Sequence, residues 1–321
     1  MEVKKYTLEN KEEWNNFVKN SKNGIFMFER GFMDYHADRF QDNSLMFYDE
    51  DELIAILPAS LHGDELRSHG GLTYGGFITS DKMKQHHMND CFDALRTYMT
   101  ENKISKLIYK VIPHIYHKQP AEEDLYSLYK SEAKLLKIEP STTALLKAPL
   151  KMPKGRKAQI ARAKRENVII KKSDEFERFI ELENLILKKF HNTKAVHTAK
   201  ELEILKSRFE DKIQLWIAEY QGEIIAGTLL FVYDNVVHTQ YMAASDLARE
   251  IGGLDLLIKT LMDLYKDTKT YFDFGISSEN NGRYLNKGLI AQKEGFGGRT
   301  NIYQTWEIDI KTSKGEEYAI E

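Results

Sequence analysis

Between Phe272 and Arg299 the sequence crowds together more groups able to accept, donate or hold a charge than an ordinary turn needs. A strand-like run ending at Phe274 is followed by Gly275, Ser277, Ser278, Glu279, Asn280, Asn281 and Gly282, then by Arg283, Tyr284, Asn286, Lys287 and Gly288. The run Lys293-Glu294-Gly295-Phe296-Gly297-Gly298-Arg299 completes it. Polar side chains gathered at the C-terminal end of a strand are where α/β folds place their sites. The chemistry this set suits is proton transfer at an amine, with Asp273 or Glu279 accepting the proton or orienting the attacking group. Lys293 and Arg299 would hold an anionic part of the acceptor, the arginine as a two-pronged donor, with Asn280 and Asn286 as further substrate contacts. Asp273-Phe274-Gly275 also spells the metal-binding tripeptide of kinases. No H-R-D-type loop precedes it and no glycine-rich loop with a following strand lysine opens the chain, so that match is coincidence.

A second group of candidates lies in the first half. Gly70-Gly71 and Gly75-Gly76 flank Tyr74 without the G-K-[ST] ending of a phosphate loop. They suit a backbone that approaches a ligand closely, with Tyr74 as a contact, or else tight packing between strands. His114, Tyr116 and His117 follow Pro113 at the end of a strand-like run and read either as a binding cluster or as structural residues. His86-His87 is not a metal pair, since neighbours on a helix point about 100° apart. Cys91 stands alone, which rules out an intramolecular disulfide, and it falls in an apolar stripe that marks it as core.

Positioning these residues requires elements, and the elements repeat. Leu45 to Tyr48 and Leu53 to Leu57 flank a charged turn; Ile213 to Ala218 and Ile224 to Val232 flank Tyr220-Gln221-Gly222-Glu223. A third strand, Val236 to Ala243, follows in the second half. Met88, Cys91, Phe92, Leu95, Tyr98 and Met99 form one stripe of an amphipathic helix, as do Leu254, Leu257, Ile258, Leu261 and Tyr265. Each helix leads into a strand, Lys106 to Val111 or Thr270 to Phe274. An ordered offset of about 165 to 171 residues between the two sets points to a tandem duplication of an α/β unit. The expected domains are 1–150, binding the acceptor, and 151–321, binding the donor and hosting the chemistry.

The join, Lys151 to Lys172, carries nine basic residues against one acid, Glu166, in a chain whose net charge is −3. It reads either as a solvated helix face or as a wall for a phosphate-bearing substrate, with Arg156 among its contacts. The overall charge and a pI near 6.4 argue against a surface that grips nucleic acid everywhere. Met1 to Asn10 is charged and lacks the apolar run of a signal peptide, and no stretch reaches the roughly 18 apolar residues of a bilayer span. The expectation is a soluble cytoplasmic protein with no bound metal.

The run Lys154-Gly155-Arg156-Lys157-Ala158-Gln159-Ile160-Ala161-Arg162-Ala163-Lys164-Arg165-Glu166-Asn167-Val168 resembles the basic helix that opens the second domain of FemAB-like proteins. Arg67 to Phe77 resembles the glycine-containing segment of their first domain. Ile112 to His117 with Glu122 to Tyr126 resembles a subgroup met among bacterial cell-surface and polysaccharide genes. The resemblance implies an α/β chain with mixed sheets, two GNAT-like (acyl-CoA N-acyltransferase) domains in tandem. It also implies transfer of an acyl group from acyl-CoA to an amine of an envelope or polysaccharide precursor, with aminoacyl-tRNA as the alternative donor; a non-catalytic binding protein that kept the fold is the third reading. GNAT members bind the coenzyme A pyrophosphate at a Q/R-x-x-G-x-G/A loop opening a helix. The matching place is Arg249-Glu250-Ile251-Gly252-Gly253-Leu254, which puts Arg249, Gly252 and Gly253 at the donor, although the second glycine comes one place early.

Overall fold

A computed structural model describes residues 1–191 and 193–310. The chain divides into two compact units, Met1–Glu139 completed by the segment from Ile302, and Pro140–Asn301. The cut thus lies at 139/140, whereas the sequence suggested one near residue 150. A strand running from Lys134 to Leu145 starts in one unit and ends in the other, so no linker composition marks the change.

In the first unit, strands β1 (Leu45–Asp49) and β2 (Glu52–Leu57) pair antiparallel across a turn in which Glu50 takes φ +53°. Helix α1 (Gln85–Glu101) buries Met88, Cys91, Phe92, Leu95 and Met99, the stripe expected from their spacing. Strand β3 (Lys106–Lys110) follows and buries Leu107 and Tyr109. The shared strand is β4 (Lys134–Leu145).

The second unit opens with the basic helix α2 (Lys154–Arg165), which buries only Ile160 and Ala163, and strand β5 (Ile169–Ser173). Helices α3 (Phe176–His191) and α4 (Ala199–Arg208) precede three long antiparallel strands, β6 (Ile213–Tyr220), β7 (Glu223–Val232) and β8 (Val236–Ala244). Short α5 (Asp246–Ile251) and long α6 (Gly253–Tyr265) lead to β9 (Tyr271–Ile276). A hairpin of β10 (Ser278–Glu279) and β11 (Tyr284–Leu285), helix α7 (Lys287–Glu294) and strand β12 (Arg299–Asp309) end the described chain. The strand order is β5-β6-β7-β8-β9-β4, antiparallel except between β8 and β9.

Helices α2 and α6 cover one face of this sheet over Val237, Leu230, Ala226, Phe272 and Phe274. Phe272, with no exposed surface, is worth about 1.5–3 kcal/mol of burial by itself. Helix α3 covers the other face, where Phe179 lies on Gly227; a Cβ there would stand 2.6 Å from the ring. Residues alternate along β7, so Gly227, Leu229 and Phe231 share the α3 face. Phe231 stands opposite His238 and Leu229 opposite Tyr241, with a bulge between the two pairs. Residues three apart on a regular strand point to opposite faces, but the extra bulge residue puts His238 and Tyr241 on the same one. Among the described residues no helix is long and apolar enough to cross a membrane.

Candidate active site

The parallel ladder between β8 and β9 is short: Val236 opposite Tyr271, Val237 opposite Phe272, His238 opposite Asp273, and then the two strands part. At that point His238 Nδ1 lies 2.7 Å from Asp273 Oδ2. The other carboxylate oxygen accepts from Ser141 Oγ at 2.7 Å and Thr143 Oγ1 at 2.6 Å, both on β4. Asp273 has no exposed surface. Burial alone would raise its pKa, yet the bond and charge of His238, with the Thr143 and Ser141 hydroxyls, hold it at about 2. Asp273 is therefore a buried carboxylate with both oxygens engaged by Ser141, Thr143 and His238, where the sequence expected it to meet the amine directly. With Nδ1 committed to the carboxylate, proton exchange at this imidazole runs through Nε2.

Gly275 interrupts β9 at φ +73°, a left-handed turn beside the His238 ring, whose Cε1 would be 3.3 Å from an added Cβ. The carbonyls of Gly275 and Ile276 accept from Lys293 Nζ at 3.0 and 2.6 Å. Lys293 is 5% exposed, and burial brings its ammonium down to about 8, with Asp273 opposing the shift. It ties α7 to the end of β9, where the sequence expected it to hold an acceptor anion. Glu279 is exposed and accepts from Asn286 Nδ2 at 2.8 Å, while Asn286 Oδ1 caps α7 through the Leu289 amide. Asn280 takes φ +50° in the turn joining β10 to β11. These three hold a hairpin and a helix start, a local role that accounts for their residue types. Arg299 is exposed and donates to the carbonyl of its neighbour Gly298.

The expected phosphate loop is packed shut. Gly252 and Gly253 are buried, the first as the left-handed end of α5 at φ +83°, where a Cβ would stand 2.3 Å from the Gln159 carbonyl oxygen on α2. Gly252 N–H already donates to Ala248, and Gly253 lies on Ile225, 2.8 Å from where a Cβ would be. These glycines let helices and sheet approach closely. Arg249 is half-exposed beside Asp246. Arg156 is likewise structural: it pairs with Asp255, donates to the Gln292 carbonyl at 2.9 Å and lies 3.8 Å over the Phe296 ring. The cations left on the surface of the join are Lys151, Lys154, Lys157, Lys164, Arg165 and Lys172, with Arg162 and Lys171 paired to Glu250 and Glu219.

In the first unit Tyr74 and Tyr116 do come together, but as core. Both are 2% exposed, their centroids are 4.7 Å apart, and Tyr303 closes the cluster with its hydroxyl 3.2 Å from that of Tyr116. His114 is exposed on the turn before them.

Sequence reasoning missed a second polar group on the α3 face of the second unit. Tyr241 Oη is 2.7 Å from His197 Nδ1 and feels the charge of Glu183 on α3. Glu183 is 6% exposed, and burial pushes its carboxyl up to about 7. A cavity of about 590 Å³ lies against the same helix, lined by Glu181, Asn184, Leu185, Lys188, Thr193 and Lys194. The signal that could have found His238 was an ionisable residue inside an apolar strand run, the same anomaly that singled out Asp273.

Residues 154–284 match the family model described as an acetyltransferase (GNAT) domain. Among solved structures, FemX shares the fold at a TM-score of 0.67 and 11% identity, covering 95% of this chain and 97% of its own. L-PGS from Bacillus licheniformis gives 0.63 and 15%, covering 97% and 94%. A tandem GNAT protein from the clavulanic acid biosynthesis pathway gives 0.54 and 10%, covering 98% and 100%. No curated protein matches the sequence.

Proposed function

We propose that this chain is a FemAB-like tandem GNAT-fold acyltransferase, a reading supported by the GNAT match over 154–284 and the shared fold, and that its second unit acylates an amine by direct attack, with His238 as general base and Asp273 as the residue that orients it. The observation carrying this reading is the 2.7 Å His238–Asp273 pair at the point where the parallel strands part. Beyond it, β8 and β9 no longer bond to each other. The amine nitrogen attacks the acyl carbon, the carbon–nitrogen bond forms, and the bond to the carrier's sulfur or oxygen breaks. His238 Nε2 takes a proton from nitrogen and returns it to the leaving atom, while Asp273 steadies the imidazolium between those steps.

Acyl-CoA is the donor this reading puts first, because it is the donor GNAT domains generally use. The packed Gly252 and Gly253 favour the alternative, aminoacyl-tRNA, whose phosphates would meet the exposed Lys154, Lys157, Lys164 and Arg165 instead. The acceptor in this reading is an amine-bearing envelope or polysaccharide precursor, supported by the resemblance of Ile112–His117 and Glu122–Tyr126. The test is product formation from each donor with wild type and His238→Gln. A loss of about 10²–10⁴ in kcat is expected for the variant, and undiminished turnover by His238→Gln would remove the base from the mechanism.

A further inference from the structure

We propose that Glu183 receives the acceptor's ammonium ion and takes its first proton, so that the site handles the two protons of the reaction with two separate groups. This rests on reading the second unit as an amine acylation site.

The need is set by stoichiometry. An alkylamine reaches the enzyme as R–NH₃⁺ and leaves as the amide R–NH–CO–R′. Nitrogen therefore loses two protons, one to the departing thiol or hydroxyl and one to solvent. A single imidazole that returns its proton to the leaving atom does not dispose of the other. Glu183 fits the remaining task. It projects from α3 toward the sheet face that carries Tyr241, His238 and Asp273. Its Oε2 is buried with no hydrogen-bond partner among the described residues, a costly state for a carboxyl unless something else occupies the place. Among the described residues, the ionisable groups facing it are Tyr241 on β8 and, through Tyr241, His197 just before α4; neither is a permanent cation. Among these residues the carboxyl has no built-in counter-ion, which an ammonium ligand would supply. Two steps along a strand separate positions by roughly 7 Å, so Tyr241 and His238 are close enough to flank one amine and far enough apart to admit it.

The sequence of events is then ordered. R–NH₃⁺ pairs with the Glu183 carboxylate, transfers one proton to it, and the neutral amine attacks the acyl carbon. The second proton passes through His238 to the leaving atom, and Glu183 later releases its proton to solvent.

The test needs no knowledge of the donor. Protein labelled at the glutamate δ-carbons is titrated in propylammonium chloride and in sodium chloride of equal ionic strength, beside Glu183→Gln. One resonance, absent from the variant, should titrate near 7 in sodium chloride. Propylammonium should lower its midpoint by about one unit, as an opposite charge in contact does. An unchanged midpoint overturns the proposal. If Glu183→Gln does not fold, Glu183→Asp identifies the resonance by removing it. A second arm uses whichever donor supports turnover: Glu183→Gln should acylate propylamine about a hundredfold more slowly than wild type. It should acylate hydroxylamine, already neutral at the assay pH, at an undiminished rate. Equal losses for both amines would overturn the proposal and leave the acyltransferase reading intact. Full activity of His238→Gln would sink that reading without touching the titration.

Discussion

Asp273→Asn is the sharpest perturbation the structure offers, because its magnitude can be worked from what surrounds the carboxylate. The native group has no exposed surface and accepts from Ser141, Thr143 and His238 at 2.6–2.7 Å. Its pKa is held at about 2 against an ordinary 3.8. At 1.36 kcal/mol per unit, that difference corresponds to a stability contribution on the order of 2 kcal/mol. Because the folded value is depressed, the contribution is complete above the unfolded value near 4 and is lost as pH falls from there toward 2. Asparagine keeps the shape but brings an amide N–H₂ that must face either the two hydroxyls or the imidazole N–H. One buried donor is left badly matched, at a further cost of about 1–3 kcal/mol. The expected loss at neutral pH is about 3–5 kcal/mol, read by urea unfolding followed at several pH values. The gap between wild type and variant should narrow by about 2 kcal/mol as pH falls from 5 to below 3. Turnover should fall with it, since His238 loses the partner that fixes its tautomer. A gap that stays constant with pH would refute the assignment of Asp273 as an ionised, hydrogen-bonded carboxylate.

Lys293 should show the same sign in a higher pH window: its folded value of about 8 lies below the ordinary 10.5, so wild type should gain stability over Lys293→Met as pH rises between those values. Parallel unfolding curves for the two proteins across pH 8–10 would contradict it. Gly252→Ala must place a Cβ 2.3 Å from the Gln159 carbonyl oxygen at φ +83°, and a loss of about 2–4 kcal/mol is expected in urea unfolding. A loss below about 0.5 kcal/mol would mean that α2 does not pack on α5 as described.

Much of the architecture was legible because periodicity is local. The stripes of α1 and α6 and the hairpin strands β1–β2 and β6–β7 all follow from spacing within a dozen residues, whereas the helix starting at Lys154 was implied by a family resemblance. The site was legible only in part. Asp273 stood out as an acid within Phe272–Phe274, but nothing nearby in the chain says that its oxygens are taken by Ser141 and Thr143 from 130 or more residues away. Lys293 and Arg156 looked like anion holders because a cation in a sequence does not reveal whether a carbonyl or an aromatic ring has already claimed it. The glycines at 252 and 253 looked like a phosphate loop because glycine marks close approach without saying what approaches; here it is α2 and Ile225.

What the sequence by itself determined, then, was a duplicated α/β plan with a polar segment after one strand of the second copy. Only the tertiary structure decided which polar groups face each other. His238 and Tyr241 are three residues apart and would point to opposite faces of a regular strand; a single bulge against β7 turns both toward α3. The short parallel ladder of β8 and β9 then brings His238 to Asp273. Sheet register and helix docking set these encounters, and both are relations between segments far apart in the chain, which is why side-chain type and spacing could nominate chemistry without placing it.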